Sequence, residues 1–275
     1  MVTSSAAVAQ RRSRLAEMAL LGKRLQGELI IDGHAHMGPW YNFYIPENGI
    51  DGRIRDMDNV GSSGVCPAAH ASIGPDFVEG NNLVAAAMKK YPGRVVGYIG
   101  VNPNYDDGVL VEIKRCEKLG LKNIKLHSIH GLPYDHAKYR PAFEYAHERG
   151  WAILAHTWGS DAPLFVNFAR TYPNAKFLLG HSGVARFDLY CDLGRKHHNI
   201  YLDIATSLSG YNWIETFVEK AGADKVLYGS DIPFISAPQQ IGKVLFSRIS
   251  DADKRKILGL NAREVLGITT RNQVS

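Results

Sequence analysis

The stretch LIIDGHAHMG (29–38) decides how the chain is read. Leu29, Ile30 and Ile31 make the start of a buried strand, and Asp32, Gly33, His34, Ala35 and His36 follow at once. In an extended chain residues i and i+2 share a face, so His34 and His36 project side by side from one strand end. Two adjacent imidazoles pack poorly and ligate metal well. Their partners have to be sought further along the chain.

Seven more apolar runs follow: GVCPAA (64–69), RVVGYIGV (94–101), NIKLH (123–127), WAILAH (151–156), AKFLLGH (175–181), IYLDIA (200–205) and KVLYGSD (225–231). Between them lie amphipathic segments, among them 77–90, 106–119, 138–149, 161–172, 184–197, 210–221 and 238–248. Strands alternating with helices imply parallel βαβ units. Eight units in roughly 240 residues match a (β/α)8 barrel. A doubly wound sheet would carry a Gly-rich phosphate turn after its first strand, where this chain has DGHAH. The expected fold is therefore α/β, a single TIM-like (β/α)8 barrel over residues 28–275. Residues 1–27 precede it as a helical extension. Within it 5–26 reads as a helix with Leu15, Met18, Leu21 and Leu25 on one face, expected to cover the bottom of the barrel.

The 275 residues are 45% hydrophobic and 21% charged, enough apolar matter for a large soluble core. No apolar run approaches the roughly 20 residues of a membrane span, so no membrane partner is expected. The formal charge of +5 is dispersed, and RRSR (11–14) is too short a patch to argue for nucleic acid. Cys66, Cys116 and Cys191 are widely spaced and odd in number, which suits buried thiols in a reducing cytoplasm. Oligomeric state stays open, a homo-oligomer included.

In a (β/α)8 barrel the C-terminal strand ends face one mouth, where active sites sit. His34 and His36 fall at the end of strand 1, His127 of strand 4, His156 of strand 5, His181 of strand 6 and Asp231 of strand 8. Three neutral imidazoles and one carboxylate suit Zn²⁺ or another borderline divalent ion. Such an ion lowers the pKa of water from about 15.7 to about 7. Asp231 is placed to serve as ligand and base, and His181 to polarise a substrate oxygen or act as an alternative base. Asp203, inside strand 7, reads either as a support for a ligand or as an ordinary buried polar contact. His70, beyond strand 2, reads either as a residue lining the pocket or, in preference, as a loop histidine, and Asp32 is given no role.

DGHAH, IKLH, ILAHT, LLGHSG, LYGSDIP and the closing NAREVLGI resemble the amidohydrolase superfamily. The branch they resemble is amidohydrolase-2, which includes aminocarboxymuconate-semialdehyde decarboxylase. The resemblance runs from about residue 28 to 267. It implies one divalent metal, commonly Zn²⁺ with Mn²⁺ as the alternative, held by His34, His36, His156 and Asp231. It also implies catalytic roles for Asp231 and for His181. Binuclear members carry a carboxylated lysine or a glutamate on strand 4; Lys125 stands there, but IKLH resembles the mononuclear members more. Lys125, His127 and Trp158 are the expected substrate contacts, and Arg186 a further cation near the mouth.

Two reactions follow for a small-molecule substrate. One is hydrolysis of an ester, lactone or amide in a carboxylated molecule; the other is non-oxidative decarboxylation. A barrel that binds metal or ligand without turnover is the third reading. The complete HxH pair and the compact chain favour the hydrolase.

Overall fold

The computed structural model describes residues 13–105 and 108–268. Helix α1 (Arg14–Leu20) leads to β1 (Ile31–Met37), α2 (Ile50–Val60), β2 (Gly64–Ala69), a one-turn α3 (His70–Ile73) and α4 (Phe77–Lys90). The chain continues through β3 (Ile99–Gly100), α5 (Gly108–Lys118), β4 (Ile124–Leu126), α6 (Arg140–Arg149), β5 (Ala152–His156) and α7 (Leu164–Thr171). It then runs through β6 (Lys176–Gly180), α8 (Phe187–Lys196), β7 (Ile200–Asp203), α9 (Trp213–Ala221) and β8 (Val226–Leu227). Helices α10 (Ala237–Leu245), α11 (Asp251–Arg255) and α12 (Asn261–Val265) follow.

All paired strands are parallel, β1 with β2 and β3 through β8 in chain order. Single backbone hydrogen bonds join the two sheets. Val96 N donates to Val65 O and Tyr98 N to Pro67 O, both at 3.0 Å, linking β2 to the approach of β3. On the other edge Gly33 N donates to Tyr228 O (3.0 Å) and Asp231 N to His34 O (2.8 Å). Backbone contacts thus run round the ring, the (β/α)8 architecture expected from the alternating pattern.

The interior divides by side. Ile31, Cys66, Leu154, Leu178 and Leu227 fill the barrel with Ala262, Val265 and Leu266 of the C-terminal segment. A larger layer, including Ile153, Leu179, Phe165 and Phe177, packs between strands and helices. The bottom is closed by α12 and the turn after it, not by the N-terminal helix. Asn261 Nδ2 donates to Val226 O (2.7 Å) and Asn123 Nδ2 to Leu266 O (3.0 Å), tying that segment to the starts of β8 and β4. This gives NAREVLGI its structural role.

The helix expected over 5–26 is shorter. Residues 5–12 lie outside the described residues, and α1 ends at Leu20. There Gly22 (φ +63°) lets Lys23 N turn back to Met18 O at 2.9 Å. Helix α1 packs on α10 through the buried Leu15. Helix α2, absent from the candidates above, buries Ile50, Ile54 and Met57, and places Arg53 on the same face. The three cysteines are free and buried. Among the described residues no helix is long and apolar enough to cross a membrane.

Candidate metal centre

His34 and His36 lie inside β1 rather than at its end, because Ala35, His36 and Met37 continue the pairing with Pro67, Ala68 and Ala69 of β2. Both rings are buried, and each has one nitrogen fixed. His34 Nδ1 donates to Asp203 Oδ2 at 2.7 Å, and His36 Nδ1 to Ala68 O at 3.3 Å. This leaves both Nε2 lone pairs facing the mouth. Asp231 Oδ1 lies 3.3 Å from His36 Nε2 and 3.8 Å from His34 Nε2, and one ligand atom from each of the three falls within 4.8 Å of the others. Metal-ligating histidines characteristically give their other ring nitrogen to a carboxylate or carbonyl. Two imidazoles so held beside a carboxylate fit a divalent ion such as Zn²⁺ or Mn²⁺. His34, His181 and Asp203 form a second close group. Its shortest contact is the His34–Asp203 hydrogen bond, which leaves no room for an ion between them.

The carboxylates are held as tightly as the rings. Asp203 also accepts from the backbone N–H of His181 (3.2 Å) and Ala205 (3.3 Å). Asp32 accepts from His34 N (3.2 Å), Ser230 N (2.9 Å) and Ser230 Oγ, tying β1 to the residue before Asp231. Burial pushes Asp203 up to about 8 and Asp32 up to about 7, and raises Asp231. The same burial, with the Lys125 charge, holds His34 and His36 well below the ordinary histidine range. Gly229 makes the packing feasible: a Cβ there would lie 2.2 Å from Asp203 Oδ1 and 2.6 Å from the His34 Cβ. Asp231 and His181 adopt left-handed backbone (φ +59° and +58°), a costly conformation for non-glycine residues that clusters at functional sites.

Lys125, fully buried on β4, brings its Nζ to 2.8 Å from His34 Nε2, and burial lowers it to about 8. It engages the lone pair that a metal would use. His156 ends β5, but its Nδ1 pairs with His181 Nε2 at 3.0 Å, and it is not in the close group of His34, His36 and Asp231. Burial pushes it down to about 2. The His127 ring stacks on it at 4.2 Å and the exposed Trp158 ring lies parallel at 5.7 Å, so the three rings form one wall. His181 Nδ1 donates to Ala205 O. Arg186 is exposed, just before α8.

A family model described as amidohydrolase matches residues 31–268. The chain belongs to the amidohydrolase family. No curated protein matches it. Solved structures with the same fold include 5-carboxyvanillate decarboxylase from Sphingomonas paucimobilis (TM-score 0.68, 15% identity, 88% of this chain and 99% of that one). A dihydroxybenzoic acid decarboxylase from Polaromonas sp., with bound manganese, gives TM-score 0.66 at 18% identity over 90% and 98%. A Pseudomonas putida protein described as a candidate 2-pyrone-4,6-dicarboxylic acid hydrolase gives 0.70 at 18% over 88% and 99%. At such identities the likeness is one of fold.

Two residues of this amidohydrolase gain places that its sequence did not give them. Asp32 is the clamp between β1 and Ser230. His70, read as a loop histidine, is buried at the start of α3, stacked on His36 with ring centroids 5.2 Å apart. The available signal was positional: His70 directly follows the second strand, as His127, His156 and His181 end theirs.

Proposed function

We propose that this amidohydrolase is a metal-dependent hydrolase of a small carboxylated ester, lactone or amide. The observation that carries the reading is the Asp231 carboxylate beside two oriented Nε2 lone pairs. His34, His36 and Asp231 would hold the ion, with His156 as a further ligand once released from His181. A divalent ion there supplies Lewis acidity, polarising a carbonyl and acidifying water.

Asp231, raised by burial, is suited to take a proton from the attacking water and return it to the leaving group. His181 keeps its proton on Nδ1, against Ala205 O, so Nε2 faces the mouth as an acceptor, now engaged with His156. Lys125 brings a cation to the floor of the mouth, suited to a substrate carboxylate. The wall of His127, His156 and Trp158 offers a flat face to a planar ligand. Non-oxidative decarboxylation is the second reading, favoured by the decarboxylases among the similar structures. The same groups would then hold the carboxylate, and Asp231 or His181 would supply the proton that replaces CO2.

Reconstituted protein should be given lactones, esters and amides of aromatic acids, and the free hydroxylated acids, in ¹⁸O-labelled water. Label appearing in a product carboxylate supports hydrolysis. CO2 release without label in the remaining product supports the second reading, and neither would overturn both.

A further inference from the structure

We propose that His70 is a substrate-recognition residue whose Nε2 accepts a hydrogen bond from a hydroxyl group of the ligand, beside the metal centre. The inference rests on the metal-dependent reading above and extends it to the class of substrate. His70 Nδ1 lies 2.6 Å from Gly38 O. A carbonyl only accepts, so Nδ1 carries the proton and Nε2 presents a lone pair. That Nε2 is buried and has no partner among the described residues. The ring cannot turn to find one without giving up Gly38. It is also packed on His36, on Phe234 (4.7 Å) and on Trp40 (5.3 Å).

The stacking on His36 puts the His70 ring directly beside one of the metal-binding imidazoles. Arg53 on α2 is a second buried group with an orphan. Its Nε and Nη2 engage Asp56 Oδ2 at 3.1 and 3.0 Å, while Nη1 is buried without a partner among the described residues. Both groups grip the neck of the loop 38–49, His70 through Gly38 O and Arg53 through Glu47 O (3.5 Å). The loop is closed there by Gly38 N donating to Asn48 O at 2.7 Å. The orphan Nε2 is an acceptor, and a ligand hydroxyl is a neutral donor that matches it. A buried acceptor left unpaired is costly, so a site built this way rejects ligands that lack the donor.

The test uses metal-reconstituted wild type, His70→Phe and His70→Gln. Phe keeps the ring packing and removes both Nε2 and the Nδ1 donor to Gly38 O, while Gln keeps a donor and an acceptor. Metal content, melting temperature and calorimetric titration with benzoate and with 2-, 3- and 4-hydroxybenzoate are measured on each. Wild type should bind at least one hydroxybenzoate about tenfold or more tightly than benzoate. His70→Phe should erase that preference with benzoate affinity and metal content kept, and His70→Gln should restore part of it. Equal binding in wild type, no binding of any probe, or a preference that survives in His70→Phe overturns the proposal. So does a preference lost in His70→Phe that His70→Gln does not restore at all, which would make the ring a packing contact only. Absence of metal from wild type defeats the underlying reading of the site; metal without a hydroxyl preference defeats the role of His70 alone.

Discussion

On the β1–β8 side of the mouth His34 is wholly buried, its Nδ1 on Asp203 and its Cβ against the backbone of Gly229. On the β4–β5 side His156 is partly exposed and lies between the rings of His127 and Trp158, with His181 as its hydrogen-bond partner. The first side is fixed by buried hydrogen bonds and close backbone packing, which set ring orientation before any ligand arrives. The second is held by stacked ring faces and one imidazole–imidazole hydrogen bond. A metal needs the former, because misplaced ligands lose affinity steeply. A substrate is served by the latter.

The difference is broken most directly at Gly229. Gly229→Ala places a methyl into Asp203 and His34, and should cost about 3 kcal/mol of stability, lowering the melting temperature by about 10 °C, and abolish metal uptake. Calorimetry and elemental analysis check both; a variant that melts and loads like wild type would show that the close packing is incidental. Asp203→Asn keeps the shape and weakens the hold on His34 Nδ1. Metal affinity should fall about 10- to 100-fold with the fold retained, measured by competition with a chelator. An unchanged affinity would demote Asp203 to an ordinary buried contact.

Acid and base act on the buried histidines and the buried carboxylates of the mouth through opposite signs. His34, His36, His70, His127, His156 and His181 are all lowered, chiefly by burial. Below about pH 6.5 they take up protons in the unfolded chain before the folded one, so stability falls as pH drops. Asp32, Asp203 and Asp231 are raised, so the folded state holds their protons more tightly, and that stability is lost as pH rises, through about 7 for Asp32 and about 8 for Asp203. Metal-free protein should therefore melt highest near pH 6.5, with the steeper fall on the acid side where six imidazoles outnumber three carboxylates. A flat melting profile from pH 5 to 8 would contradict these environments. The smallest effect is expected at the loose wall. Trp158→Ala removes an exposed ring and should weaken an aromatic ligand about three- to tenfold, leaving melting temperature and metal content unchanged. Loss of metal there would mean that the wall also organises the ligands.

The sequence carried the eight strands because parallel strands buried on both faces read as apolar runs. Their lengths were less legible. RVVGYIGV and KVLYGSD each keep two residues of regular strand, since pairing there passes to isolated hydrogen bonds that an apolar pattern does not encode. The HxH pair was legible from its period of two. The tautomers that make it a metal site were not, because Asp203, Ala68 and Gly229 come to it from other strands. Helix α2 was hidden by its polar composition, and with it the buried Arg53. His70 lay within reach of the strand-end rule that picked out His127 and His156.

Metal content per chain, by elemental analysis of wild type and of His34→Ala/His36→Ala after reconstitution with zinc or manganese, tests the central claim most directly. The account predicts about one equivalent in wild type and its loss in the double variant, with the fold kept. No metal in wild type, or full loading of the double variant, would contradict the site; about two equivalents would contradict a single ion and make Lys125 a candidate bridge.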